Sequence, residues 1–124
     1  MVEQAVIDWL LASSSPSIRY LTLRDLTDLS EDHPDCKTEY TNIQRTGAVP
    51  SILNFQVQPG RWNYPQHYYT PKYTSTHWTM MLLEELRCDP QEPRFQAAAD
   101  FMLSATQNNI SKYSQENNSN WTCL

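Results

Sequence analysis

Three kinds of side chain in this sequence are spaced so that they could do chemistry: a carboxylate pair, histidines, and a dense run of aromatic rings. Asp25-Leu-Thr-Asp28 sets two carboxylates three residues apart. On a helix both would share one face, the arrangement that could hold a divalent cation beside a diphosphate. No third carboxylate stands next to them, and a solvated or Arg24-paired face accounts for them more simply. His77 is the leading single candidate for an acid or base, since a neutral imidazole at a helix start can exchange a proton near neutral pH. Its competing role is to cap that helix or to bond a loop carbonyl. His67 is a weaker version of the same case, and His33, ahead of Pro34, reads as a turn residue.

The rings gather between positions 62 and 78: Trp62, Tyr64, Tyr68, Tyr69, Tyr73 and Trp78, with His67 and His77 among them. Rings at this density can form a cage that stabilises a carbocation or takes an apolar or cationic ligand on their faces. They can equally pack an interface and hold a long loop down. Cys36, Cys88 and Cys123 are odd in number and lack metal-ligand spacing. They read as buried or half-buried thiols in a reducing compartment. No metal and no cofactor is expected. Ser13-Ser14-Ser15 has no histidine nearby in sequence and reads as a turn.

The elements that position these groups are helical. The 124 residues suit one domain, and the apolar residues recur at helical spacing, with no alternating β-branched runs. A net charge of −5 argues against a nucleic-acid partner, which requires a basic stripe. No apolar run reaches the ~18 residues of a membrane span. The N-terminus resembles neither a signal nor a transit peptide, and a cytoplasmic location is expected.

The spacing predicts helices over 2–13, 16–29, 35–46, 75–87 and 91–106, arranged as antiparallel pairs. Ser15-Pro16, Gly47, Asp89-Pro90 and Pro93 serve as punctuation. The first helix should turn Val2, Val6, Trp9 and Leu10 inward. Residues 49–55 read as a short apolar turn, 57–74 as an ordered loop, and 107–120 as a polar loop. Helices 16–29 and 75–87 are apolar on most faces, Met80 and Met81 acting as core filler, and the other three on one side. That alternation describes a double layer of α-hairpins with two-sided helices inside.

The chain also echoes itself. Ser75-Thr-His-Trp-Thr-Met-Met81 returns as Ser119-Asn-Trp-Thr-Cys-Leu124, and Asp8-Trp-Leu-Leu-Ala-Ser13 as Asp100-Phe-Met-Leu-Ser-Ala105. Gln56-x-x-x-Gly60-x-Trp62 returns, decayed, as Gln107-x-x-x-Ser111-x-Tyr113. Recurrence at several tens of residues marks stacked supersecondary units.

With Pro16 to Asp25, Gln56 to Trp62 and Tyr69 to Trp78 in view, the sequence resembles the α/α-toroid superfamily of terpenoid cyclases and protein prenyltransferase β subunits. It is most similar to uncharacterised bacterial proteins with squalene-cyclase-type repeats. Ile52, Gln56, Gly60 and Trp62 fit the repeated signature of that group, with Gln107 in its decayed copy. The resemblance implies an all-α arc of hairpin repeats, a partial toroid spanning 1–124 and continuing past its C-terminus. It implies a structural role for the signature: Gly for a tight loop, Trp over the next helix start, Gln bonding loop and helix-end backbone groups.

The cyclases' Asp-x-Asp-Asp motif is absent here, and so is the prenyltransferases' Asp-x-Cys zinc pair, since Trp121 precedes Cys123 and Leu86 precedes Cys88 at that place. Three functions follow as expectations. The chain is an N-terminal portion of a toroid of unknown activity; or it belongs to an enzyme on an isoprenoid or other apolar substrate, with catalytic residues beyond Leu124; or it is a non-catalytic scaffold for a protein partner. Trp121-Thr122-Cys123-Leu124 should open a third inner helix. On helix 91–106, Phe95, Ala98, Phe101 and Met102 should then divide between the existing core and an open apolar edge through which the chain self-associates.

Overall fold

The computed structural model describes residues 1–63 and 65–115. Tyr64 and the expected helix start at Trp121 lie outside them. Among the described residues the chain is all-helical: α1 (Gln4–Leu11), α2 (Pro16–Asp25), α3 (Pro34–Arg45), α4 (Ala48–Asn54), α5 (Thr76–Glu85) and α6 (Pro93–Gln115). None of these helices is long and apolar enough to cross a membrane. The described residues divide into two compact units, 1–54 with 83–89, and 55–82 with those from 90 onward.

In the first unit, α2 packs on α1 and α3, and α3 on α4. Proline sets two helix starts. Pro16 occupies the first turn of α2 and Pro34 that of α3, where the missing N–H costs nothing. His33 caps α3, its Nδ1 accepting from the Asp35 N–H at 3.2 Å. Gly47, at φ +81°, turns the chain from α3 into α4. Ile7, Tyr20, Cys36, Ile43, Val49, Leu53, Leu83 and Cys88 are buried.

Polar bonds fix the pairing of these elements. The Arg19 guanidinium donates to both oxygens of Glu39, at 2.9 and 2.8 Å, clamping α2 to α3. Gln44 acts as a substitute peptide group. Its amide donates to the Arg87 carbonyl at 2.8 Å while its oxygen accepts from the Asp89 N–H at 2.8 Å. Ser17 Oγ donates to the Leu86 carbonyl at 2.7 Å. The chain leaving α5 is thereby tied to α2 and α3, its end carbonyls and amides satisfied.

The second unit is built differently. Its long helix α6 packs on the loop that follows α4. Gly60 sits so close to α6 that a Cβ there would lie 2.4 Å from the Ala97 carbonyl carbon. Ala98, Trp62 and Tyr68 are buried, with Ser75, Thr76 and Thr79 as buried polar residues.

Several expectations are corrected. Residues 48–54 are a helix rather than an apolar turn, because Pro50 falls in its first turn and so does not break it. The polar tract to Gln115 continues α6, since no Gly or Pro follows Pro93 to stop it. Helix α1 buries Ile7, and leaves Val2, Val6 and Trp9 exposed, Trp9 by 73%. The expected all-round burial of the fifth helix is partial, with Met81 53% and Leu82 49% exposed. On α6, Ala98 is buried and Phe95, Phe101 and Met102 are half-buried, while Leu103 and Ile110 face solvent.

Candidate functional site

Residues 56–78 carry almost every side chain singled out for chemistry, and their local structure begins with a tight turn. The Val57 N–H donates to the Arg61 carbonyl and the Arg61 N–H to Gln58, both at 2.9 Å, with Pro59-Gly60 at the corner. Gly60 takes φ +72°, a conformation that favours glycine, and presses its bare Cα onto α6. The Gln56 amide bridges turn and helix. Its oxygen accepts from the Gly60 N–H at 3.2 Å, and its nitrogen donates to the Arg94 carbonyl, in the first turn of α6, at 3.1 Å. Ile52, the aliphatic member of the signature, is half-buried on α4.

Trp62 is 4% exposed, and its N–H donates to the Thr76 hydroxyl at 3.2 Å, joining the turn to the start of α5. The Arg61 guanidinium lies 4.1 Å from the Phe101 ring centroid and donates to the Pro65 carbonyl at 2.9 Å. Tyr68 is buried with its ring edge-on to Phe101 at 6.4 Å. The Thr106 hydroxyl donates to its phenol oxygen at 3.5 Å, and its carbonyl accepts from the His77 N–H at 2.7 Å. Turn, loop, α5 start and α6 are therefore one bonded block. Gln107 and Ser111, the decayed copy of the signature, lie exposed within α6, so the two halves of that echo have different local structures.

A second set of rings is half-buried, with Tyr73 its exposed member. Tyr69, Tyr73, His77 and Trp78 form a cluster in which Trp78 touches all three others, at centroid separations of 5.3, 5.0 and 5.1 Å. Tyr69 and His77 are 5.3 Å apart. The Trp78 indole N–H donates to the Tyr69 carbonyl at 3.1 Å, which orients the indole. Lys72 Nζ stands over the cluster, 5.1 Å from the Tyr73 ring centre and 5.7 Å from that of Trp78. Tyr73 is 70% exposed and held at φ +70°, which for a bulky residue is a strained conformation. His67 is exposed.

The candidate rings thus sort into two roles. Trp62 and Tyr68 pack the block, whereas Tyr69, Tyr73, His77 and Trp78 are gathered where a ligand could reach them. Lys72 is the member that reading by motif overlooks. Its signal is that it is the only Lys or Arg between Trp62 and Trp78.

The carboxylate pair is not assembled. Helix α2 ends at Asp25, and Asp28 lies beyond it at φ +54°, so the two do not share a helix face. Asp25 accepts from Arg24 Nε at 2.8 Å, and that hydrogen bond holds its carboxyl below the usual range. Burial pushes the Cys36 thiol up, which disfavours the nucleophilic thiolate. No group of three or more His, Cys, Asp or Glu gathers among the described residues as a metal site would require. Comparison with known protein families, with curated proteins and with solved structures finds no match.

Proposed function

We propose that this protein is a helical binding module, part of a squalene-cyclase-type α/α-hairpin repeat protein, that takes its ligand on the ring faces of Tyr69, Tyr73, His77 and Trp78. The observation that carries the reading is Tyr73. A left-handed conformation costs a non-glycine residue roughly 1–2 kcal/mol, yet here it presents most of a large ring to water. The ring touches Trp78 and the Lys72 ammonium and leaves most of its area to water. Strain and exposure together suit a surface that offers rings to something else.

His77 belongs to this reading as a wall of the site, fixed through its backbone bond to Tyr68 and its contacts with Tyr69 and Trp78. The repeat-protein part of the proposal is supported by the joint geometry of Gln56, Gly60 and Trp62. They link a loop to two helix starts in the manner such a signature requires. A titration with phenol as a neutral ring probe tests the site, read by NMR at the indole N–H of Trp78 and assigned with Trp78→Phe. Saturable shifts of that signal, lost in Tyr73→Ser, are expected. An unmoved Trp78 signal at millimolar phenol, with shifts elsewhere in the chain, would remove the site from this surface.

A further inference from the structure

The charge along the segment that carries the ring cluster bears on which ligands the rings can bind. Residues 40–83 contain no Asp or Glu, while Arg45, Arg61 and Lys72 fall within them. The rest of the chain holds all 14 acidic residues against six basic ones, the nine Lys and Arg less these three. In an acidic protein, the stretch that carries the rings is the one from which negative charge is missing.

Lys72 sharpens the point. Arg19, Arg24, Lys37, Arg87 and Arg94 each pair with a carboxylate at 2.8–3.5 Å. Lys72 has no carboxylate partner among the described residues, and its ammonium rests on the faces of Tyr73 and Trp78 instead. At an exposed site such a contact is worth only about 0.5–1 kcal/mol, so the ammonium can leave it for an anion. Arg61, by contrast, is committed to Phe101 and to the Pro65 carbonyl. A cationic ligand would meet Lys72 already on the rings and find no carboxylate in this stretch to receive it. A neutral ring would gain nothing from the lysine.

Resting on the reading that the cluster is a binding site, we infer that its ligand is an anionic aryl compound, a planar ring bearing a carboxylate or phosphate. The ring lies against Tyr73 and Trp78, and the anionic group takes the Lys72 ammonium. Aromatic faces and a single flexible cation suit this class, because the ring contributes area and the ion pair contributes orientation.

Four probes on the folded chain test the inference, each followed at the Trp78 indole N–H: phenyl phosphate, benzoate, phenol and tetramethylammonium. Phenyl phosphate should bind about five- to ten-fold more tightly than phenol, the worth of one partly screened ion pair. Benzoate separates the two kinds of anion. Benzoate matching phenyl phosphate supports a general anion site, and phenyl phosphate alone supports a phosphate-bearing ligand. Lys72→Gln, at an exposed position, should bring both anions to the level of phenol, whereas Lys112→Gln should change neither. Equal binding of phenol and phenyl phosphate, or no effect of Lys72→Gln, overturns the anionic ligand while the ring site stands. Tightest binding of tetramethylammonium overturns it in favour of a cation cage. Silence at Trp78 with all four probes overturns the ring site as well.

Discussion

Replacing Gly60 by alanine should be among the most damaging small changes this chain can suffer. Two costs combine. An alanine at φ +72° incurs the left-handed penalty of roughly 1–2 kcal/mol. Its methyl carbon would also meet the α6 backbone, at 2.4 Å from Ala97 C, 2.5 Å from Ala97 O and 2.6 Å from Ala98 N. Main-chain atoms inside a helix cannot rotate aside, so the turn or the helix must shift, at about 1–3 kcal/mol for overpacking. The total of about 2–5 kcal/mol is a large part of the 5–15 kcal/mol that typically separates folded from unfolded. Gly47 supplies the control, with φ +81° but only the Pro16 ring carbons near its added methyl, the closest at 3.4 Å. Gly47→Ala should therefore show the backbone penalty alone, about 1–2 kcal/mol. Urea unfolding followed by circular dichroism measures both. Equal losses in the two variants would refute the reasoning, because they would mean that α6 does not lie against the turn.

Two further outcomes follow from the hydrogen bonds. Glu39→Gln should cost about 1 kcal/mol at pH 7, since it breaks the charged clamp with Arg19. The Arg19 bonds hold the Glu39 carboxyl below its ordinary value, against the upward push of burial. Its contribution is therefore complete above about pH 4.3 and is lost as pH falls through the lower folded-state value. The stability gap between Glu39→Gln and the parent should close in acid, and a gap that persists at pH 2 would contradict the assignment. Ser75 and Thr76 should behave oppositely although both are fully buried. Ser75 Oγ has no hydrogen-bond partner among the described residues, so Ser75→Ala should be neutral or stabilising by up to about 1 kcal/mol. Thr76→Val removes the acceptor of the Trp62 N–H and should cost about 1–3 kcal/mol in the same unfolding assay.

Helix starts were the most legible part of the fold, because proline acts locally. Pro16 and Pro93 each open a helix where the spacing placed one. Helix ends were less so. In α2, Thr22 Oγ donates back to the Ile18 carbonyl and the Leu29 N–H reaches only to Leu23, ending the helix short of the residues that keep its apolar rhythm. The facing of α1 was hidden for another reason. Eight residues with Val6, Ile7 and Trp9 on different sides offer two apolar stripes, and tertiary packing chose the one through Ile7. At the site, the density of rings was plain in the sequence. Which rings are buried was not. Adjacent Tyr68 and Tyr69 part company because α6 supplies Phe101 and Thr106 to one of them, and no local pattern records a contact made so far along the chain.

That distance has a consequence for the order in which the protein comes into being. The bonds from Gln56 to Arg94 and from Tyr68 to Thr106 each span 38 residues. During synthesis at about 5–20 residues per second, the aromatic loop therefore precedes its support by about 2–8 s. For that interval Tyr68 lacks Phe101 and Thr106, and the turn at Gly60 has no helix to lie against. The nascent chain passes through a stage in which its most aromatic stretch is its least protected one. Holdase chaperones that recognise apolar, acid-free segments should meet it there, before α6 arrives and takes the loop out of their reach.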